Sequence, residues 1–154
     1  MIATRVQAAP FDAAAEIAAL TAGRSDIGAV VSFTGIVRGD ANELGALISL
    51  TLEHYPAMTE QALRAIAAEA EARWPLTGGI VIHRVGRLLP GDPIVLVAIA
   101  SAHRAAAFAA AEFLMDWLKT KAPFWKAEAR ADGTTWVAAR DSDAAAAARW
   151  RAAE

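Results

Sequence analysis

The chain has no cysteine among its 154 residues. That absence excludes disulfides, thiolate metal sites, cysteine nucleophiles and a persulfide carried on the protein itself. The three histidines, His54, His83 and His103, lie far apart and match no zinc-type spacing, so no metal is expected. Long apolar runs are also missing. The run Ala105–Ala111 is closed by Arg104 and Glu112, well short of a membrane span. The opening residues Met1-Ile2-Ala3-Thr4-Arg5-Val6 lack the apolar stretch of a signal peptide. Both observations point to a soluble, cytoplasmic protein without a membrane partner. Basic excess is absent as well. A net charge of −2 and a pI near 5.9 argue against a nucleic-acid partner. No repeat, linker or low-complexity segment interrupts the chain, apart from its richness in alanine.

Lysine is the scarcest cation. Only three of the 15 basic residues are lysines, and all fall in the segment Leu118-Lys119-Thr120-Lys121-Ala122-Pro123-Phe124-Trp125-Lys126. Where either cation would serve, this chain uses arginine. A retained lysine suggests chemistry closed to guanidinium: losing a proton, attacking a carbonyl, or acting as a compact proton donor. A solvated basic turn after a helix is the competing explanation.

Hydrophobic content of 56% with 21% charged residues predicts a folded chain, and the length fits a single domain over residues 1–154. Ile2 to Gln7 reads as a strand, and Pro10-Phe11-Asp12 opens a helix to about Leu20. Gly28 to Ile36 reads as a mostly buried strand. Arg38-Gly39-Asp40-Ala41-Asn42 reads as a polar, mobile loop. Leu47 to His54 alternates as a strand, and Pro56 ends it. Thr59 is placed as the cap of a helix whose apolar stripe is Leu63, Ile66, Ala67, Ala70 and Trp74. Gly78-Gly79 precedes a strand from Ile80 to Leu89, which should form an antiparallel hairpin with Ile94 to Ala100. The latter is a continuous apolar run, as expected of a central strand buried on both faces. A helix follows to about Lys119, with Phe108, Ala111, Met115 and Leu118 as its stripe, widened by Leu114 and Trp117. Phe124 to Ala129 and Thr134 to Ala138 read as strands about the Asp132-Gly133 turn. Ser142 is placed as the cap of a last helix to Trp150. Strands and helices mix without strict βαβ alternation, which predicts an α+β fold with a mixed, antiparallel-rich sheet and packed helices.

Three segments carry candidate chemistry. His103-Arg104 stands at a strand-to-helix junction, where free N–H groups, the helix dipole and a guanidinium favour an anion. Thr34-Gly35-Ile36-Val37-Arg38 ends a strand in a glycine and an arginine. In the lysine segment, Pro123 stiffens the backbone while Phe124 and Trp125 offer apolar walls beside Lys126. Taken singly, each also fits a structural role. His83 and His54, flanked by apolar neighbours, read as structural.

Together these segments resemble one family. Phe33-Thr34-Gly35-x-Val37-Arg38, Leu52-Glu53-His54-Tyr55-Pro56-x-Met58, His83-Arg84-x-Gly86, Ser101-Ala102-His103-Arg104 and above all Leu118 to Lys126 are similar to the large, catalytic subunit of molybdopterin synthase. The resemblance runs from about Gly28 to Trp150. It implies an α/β-hammerhead fold and a sulfurtransferase that converts cyclic pyranopterin monophosphate (precursor Z) to molybdopterin. It implies a small ubiquitin-like partner subunit whose C-terminal Gly-Gly thiocarboxylate carries the sulfur, and a homodimer of large subunits within a heterotetramer. No further cofactor is implied. By position, Lys119 and Lys126 match the family's two key lysines. Arg38, His103 and Arg104 match substrate-pocket residues, with backbone groups at Val37, Ala127 and Glu128 lining the site. Ile36 and Lys121 depart from the family pattern, which commonly has lysine and arginine there. Two other functional classes fit the bare residues: a lysine Schiff-base enzyme, and a non-catalytic module that binds anions or docks a partner.

Overall fold

The computed structural model describes residues 1–137 and 141–151. Its elements run β1 (Ile2–Gln7), α1 (Ala13–Thr21), β2 (Ala29–Ile36), β3 (Ala41–Asn42), β4 (Gly45–His54), α2 (Pro56–Arg73) and β5 (Leu76–Arg84). They continue with β6 (Gly86–Leu88), β7 (Pro93–Ser101), α3 (Arg104–Thr120), β8 (Phe124–Arg130), β9 (Gly133–Val137) and α4 (Asp141–Ala148). The class is α+β, as expected. One sheet has the order β1-β5-β7-β2, with β1 parallel to β5 and the other pairings antiparallel. The second has the order β3-β4-β8-β9, and β6 also pairs with β4.

The first sheet is covered on both faces. Side chains alternate along a strand, so Val81, Val95, Val97 and Ile99 pack with α2 and α3, around Leu63, Ile66, Phe113, Leu114 and Trp117. Ile80, Ile82, Leu96 and Ala98 point the other way, onto Phe11, Ile17 and Leu20 of the α1 side. This explains the unbroken apolar run in β7, whose residues Leu96 to Ala100 are all fully buried.

Several boundaries differ from expectation. β2 is an edge strand rather than a buried one, and Phe33 and Ile36 are exposed. β4 ends at His54, before Pro56, as expected, but Thr59 is not the cap of the next helix, and Pro56 already belongs to that helix. It occupies the first turn of α2 after Tyr55, where a missing N–H costs nothing, and Thr59 is fully buried inside the helix. The stretch Ile80 to Leu89 is two strands. β5 begins earlier and contains Gly78 and Gly79, and Gly86, at φ 85°, starts β6 in the other sheet. At Gly79 a Cβ would lie 2.8 Å from Ile99 Cδ1 and 3.0 Å from the Ala98 carbonyl oxygen, so the close β5–β7 approach favours glycine. The buried face of α3 is Ala107, Ala110, Ala111, Phe113, Leu114, Trp117 and Leu118, about one residue round from the expected stripe. Phe108 is therefore exposed. Ser142 lies within α4 rather than before it, and Ala138 falls outside the described residues.

The polar loop after β2 is also more structured than expected. Ala41–Asn42 pairs with Gly45–Ala46 as a short hairpin. Arg130, buried at the end of β8, donates to the Asp40 carboxylate at 2.7 Å and to the Gly45 carbonyl at 3.0 Å. The charged pairs hold the Arg130 guanidinium firmly protonated: its hydrogen bonds to Asp40 and then Glu128 raise its pKa against the opposing effect of burial.

Candidate active site

Lys119 and Lys126 come from different elements and meet at one cavity of about 60 Å³. Lys119 is exposed in the last turn of α3, where a cation suits the negative end of the helix dipole. The chain then turns through Ala122 and Pro123 into β8. Phe124, Lys126 and Glu128 share one face of that strand by its two-residue period. Val95, Met115, Leu118 and Phe124 supply apolar wall, and His83 supplies the third polar side chain.

His83 is placed by β5. It follows Val81 on the face turned toward α3, and its cross-strand partner is Val95. Its ring stacks on Phe124 with centroids 3.9 Å apart and planes at 18°, and His54 approaches the same phenyl ring at 6.2 Å. The His83 Nδ1 lies 2.8 Å from the Arg84 carbonyl oxygen. Burial pushes the His83 pKa down to about 4; the Arg84 carbonyl opposes this, while the charges of Lys126, Lys119 and His54 add to it. The ring is therefore neutral at pH 7. A carbonyl only accepts, so Nδ1 carries the hydrogen and Nε2 carries the lone pair. Sequence reasoning set His83 aside as structural. The overlooked signal is its register with Val81, on the face of β5 that meets the lysine-bearing helix.

The third lysine is engaged elsewhere. Lys121 caps α3 and places its Nζ 3.7 Å over the Trp117 ring. Glu128 accepts from Arg130 at 2.8 Å, and Ala127 is buried in the β4–β8–β9 ladder opposite Thr51 and Trp136. Val37 is buried with Leu52 and Leu88 under Phe124. Its N–H donates to the Asp92 carbonyl at 2.9 Å and its carbonyl accepts from Gly91 at 2.7 Å, so both backbone groups serve the turn that holds them. Arg38 is largely exposed beside this turn, with Asp40 at 4.0 Å.

His103 and Arg104 do not join the lysines within one chain. His103 is the N-cap residue of α3 and Arg104 its first residue. Both are exposed on an open cleft of about 530 Å³ shared with Gly28, Ala102, Ala105 and Phe108. Arg104 and Lys119 sit near opposite ends of α3, roughly 22 Å apart along its axis at 1.5 Å per residue. His103 and Arg104 thus lie apart from the lysine cavity of the same chain. Among the described residues, no cluster of histidine, aspartate or glutamate is suited to a metal ion, and no helix is long and apolar enough to cross a membrane.

Known proteins share this sequence and fold. The chain is 60% identical over 149 residues to the molybdopterin synthase catalytic subunit of Mesorhizobium japonicum, covering 96% of this chain and 92% of that protein. It is 57% identical over 151 residues to the protein of the same name from Pseudomonas aeruginosa, covering 97% and 99%. Among solved structures, the molybdopterin biosynthesis MoaE protein of Burkholderia ambifaria matches with a TM-score of 0.82 at 53% identity, over 98% of this chain and 99% of that one. The model of the MoaE protein family matches residues 6–121, which include Arg38, His103, Arg104 and Lys119 and stop short of Lys126. On a family match over most of its length and relatives aligned over nearly all of it, the chain belongs to the MoaE protein family.

Proposed function

We infer that this chain is the catalytic subunit of a molybdopterin synthase, an enzyme of molybdenum cofactor biosynthesis, and that residues 1–154 act as one domain. The observation that carries the chemistry is the pair of lysines, Lys119 and Lys126, on one small cavity whose other lining residues are mostly apolar side chains. The substrate is precursor Z. The sulfur comes from the C-terminal Gly-Gly thiocarboxylate of a small ubiquitin-like subunit, a partner in keeping with relatives named as a catalytic subunit.

The cavity size supports a division of labour. About 60 Å³ holds a few waters or a carboxylate-sized group, too little for a fused pterin. The tail end enters the cavity and the pterin stays at its mouth. In the first step the thiocarboxylate sulfur forms a bond to a substrate carbon while a carbon–oxygen bond at that carbon breaks and its oxygen leaves with a proton, giving a thioester between tail and substrate. Water then adds to the acyl carbon, and the acyl–sulfur bond breaks. A tail carboxylate and a substrate thiolate remain. Lys119, beside the acyl group, moves the protons of this exchange. Lys126 holds the anionic part of the substrate and stabilises developing negative charge, which a partly buried ammonium does better than one in water.

His103 and Arg104 bind the phosphate by the helix N-terminus and a bidentate guanidinium. Because they lie about one helix length from Lys119, the homodimer supplies them: the second copy presents its α3 N-terminus to the first copy's lysine pocket. The exposed apolar side chains Phe33 and Ile36 along the edge strand β2, and Phe108 in the early turns of α3, suit such a contact. Two such dimer sites with one small subunit each make a heterotetramer. The test supplies precursor Z and thiocarboxylated small subunit and measures molybdopterin. Product formation is expected; its absence from intact chain overturns the reading.

A further inference from the structure

His83 is the one polar side chain of the lysine cavity that the proposed chemistry leaves without a role. Three features set it apart from a core histidine that merely fills space. It lines the cavity together with Lys119 and Lys126. It is held in one orientation from two sides, by the Phe124 ring stacked at 3.9 Å and by the Arg84 carbonyl at 2.8 Å from Nδ1. And that carbonyl selects the tautomer, leaving a lone pair on Nε2 as the only hydrogen-bonding capacity the ring has left. Phe124 and Lys126 are two residues apart on the same face of β8, so a ring stacked on Phe124 stands beside the Lys126 side chain.

We propose that His83 is a positioning residue for sulfur transfer: its Nε2 accepts a hydrogen bond from the Lys126 ammonium and aims that ammonium into the cavity. The proposal rests on the functional reading above and adds to it a fixed acceptor. The neighbouring elements present charge of one sign to the ring, namely Lys126 from β8, Lys119 from α3 and His54 from β4, each of which disfavours a charged imidazole. Burial does the same, so the ring keeps its lone pair through the neutral pH range. An acceptor that cannot become a donor is suited to holding an ammonium. A histidine that titrated near pH 7 would repel that lysine in half of the molecules.

Three variants separate positioning from packing. His83→Phe keeps ring volume and stacking but has no acceptor. His83→Asn places an amide N–H where Nδ1–H stood, toward the Arg84 carbonyl, and has no acceptor at the Nε2 position. His83→Gln reaches the Nε2 position with an amide oxygen. Each is assembled with thiocarboxylated small subunit, and molybdopterin formation is measured over a range of precursor Z concentrations. Circular dichroism and thermal unfolding confirm the fold. His83→Phe and His83→Asn are expected to lose about tenfold or more in kcat with KM for precursor Z changed less than about threefold, the pattern of a lost transition-state contact. His83→Gln is expected to recover to within about threefold of the parent. Parental kcat in His83→Phe, or equal losses in all three variants, overturns the proposal. Because the parent protein runs alongside, failure of the parent to form product refutes the functional reading instead.

Discussion

Replacing Lys119 with alanine should separate activity from stability. The side chain is exposed in the last turn of α3, so few packing contacts are lost. Removing a cation from a helix C-terminus costs about 0.3–1 kcal/mol. Alanine returns a few tenths of a kcal/mol through its higher helix propensity. The net change in stability is within about 1 kcal/mol, which for a chain of this length moves Tm by no more than about 4 °C. The effect on turnover should be far larger. A side chain that moves a proton in the transition state is worth about 10²–10⁴ in kcat. The assay measures molybdopterin formed from precursor Z with thiocarboxylated small subunit, beside calorimetry of the same preparations. Lys121→Ala is the control. It removes an ammonium that lies 3.7 Å over the Trp117 ring, outside the cavity lining. Its loss should cost about 0.5–1 kcal/mol of stability and leave turnover near parental. Turnover in Lys119→Ala within threefold of the parent would refute the reasoning. So would a loss equalled by Lys121→Ala.

Three further predictions concern the frame round the site. The folded state holds the His83 pKa at about 4, below the ordinary value of 6.5, so the stability this group contributes is present above pH 6.5 and is lost as pH falls toward 4. Between pH 7 and pH 4.5 the loss is on the order of 2 kcal/mol in urea unfolding, and it should vanish in His83→Phe; equal acid sensitivity in the two proteins contradicts this. Arg130→Met should release the hairpin that Asp40 and Gly45 hold, seen as faster amide exchange at Leu47, whose N–H donates to the Asp40 carbonyl at 2.8 Å; unchanged exchange speaks against the anchor. Thr59→Val should stabilise by about 1 kcal/mol, because the Thr59 hydroxyl is fully buried without a hydrogen-bond partner among the described residues; a destabilised variant contradicts this.

Much of the frame was legible because local pattern and tertiary role coincide. β7 reads as a two-faced central strand from its apolar run alone, and Asp12 before α1 accepts the Ala15 N–H at 3.0 Å as an N-cap should. Legibility failed where the deciding fact lies outside the segment. β2 has the composition of a buried strand, but nothing local tells an edge from a centre. In α3 alanines fill both faces, so the period is carried by few large residues and the stripe was set by Phe108, which is exposed, instead of Ala107. A Pro at the first turn of α2 displaced the cap from Thr59 to Tyr55. At the site, the lysines were found through their scarcity and the resemblance. Their convergence depends on β8 packing beside the end of α3, which no single segment encodes. His83 enters the cavity through the pairing of β5 with β7. The separation of His103 and Arg104 from Lys119 follows simply from the length of α3.

The central claim is that two lysines in one cavity carry the sulfur transfer, and the most direct test is a single-turnover measurement on the Lys119→Ala, Lys126→Ala double variant. With precursor Z and thiocarboxylated small subunit in excess, the folded double variant should form no molybdopterin above background while the parent forms it. Parental yield from the double variant would contradict the account.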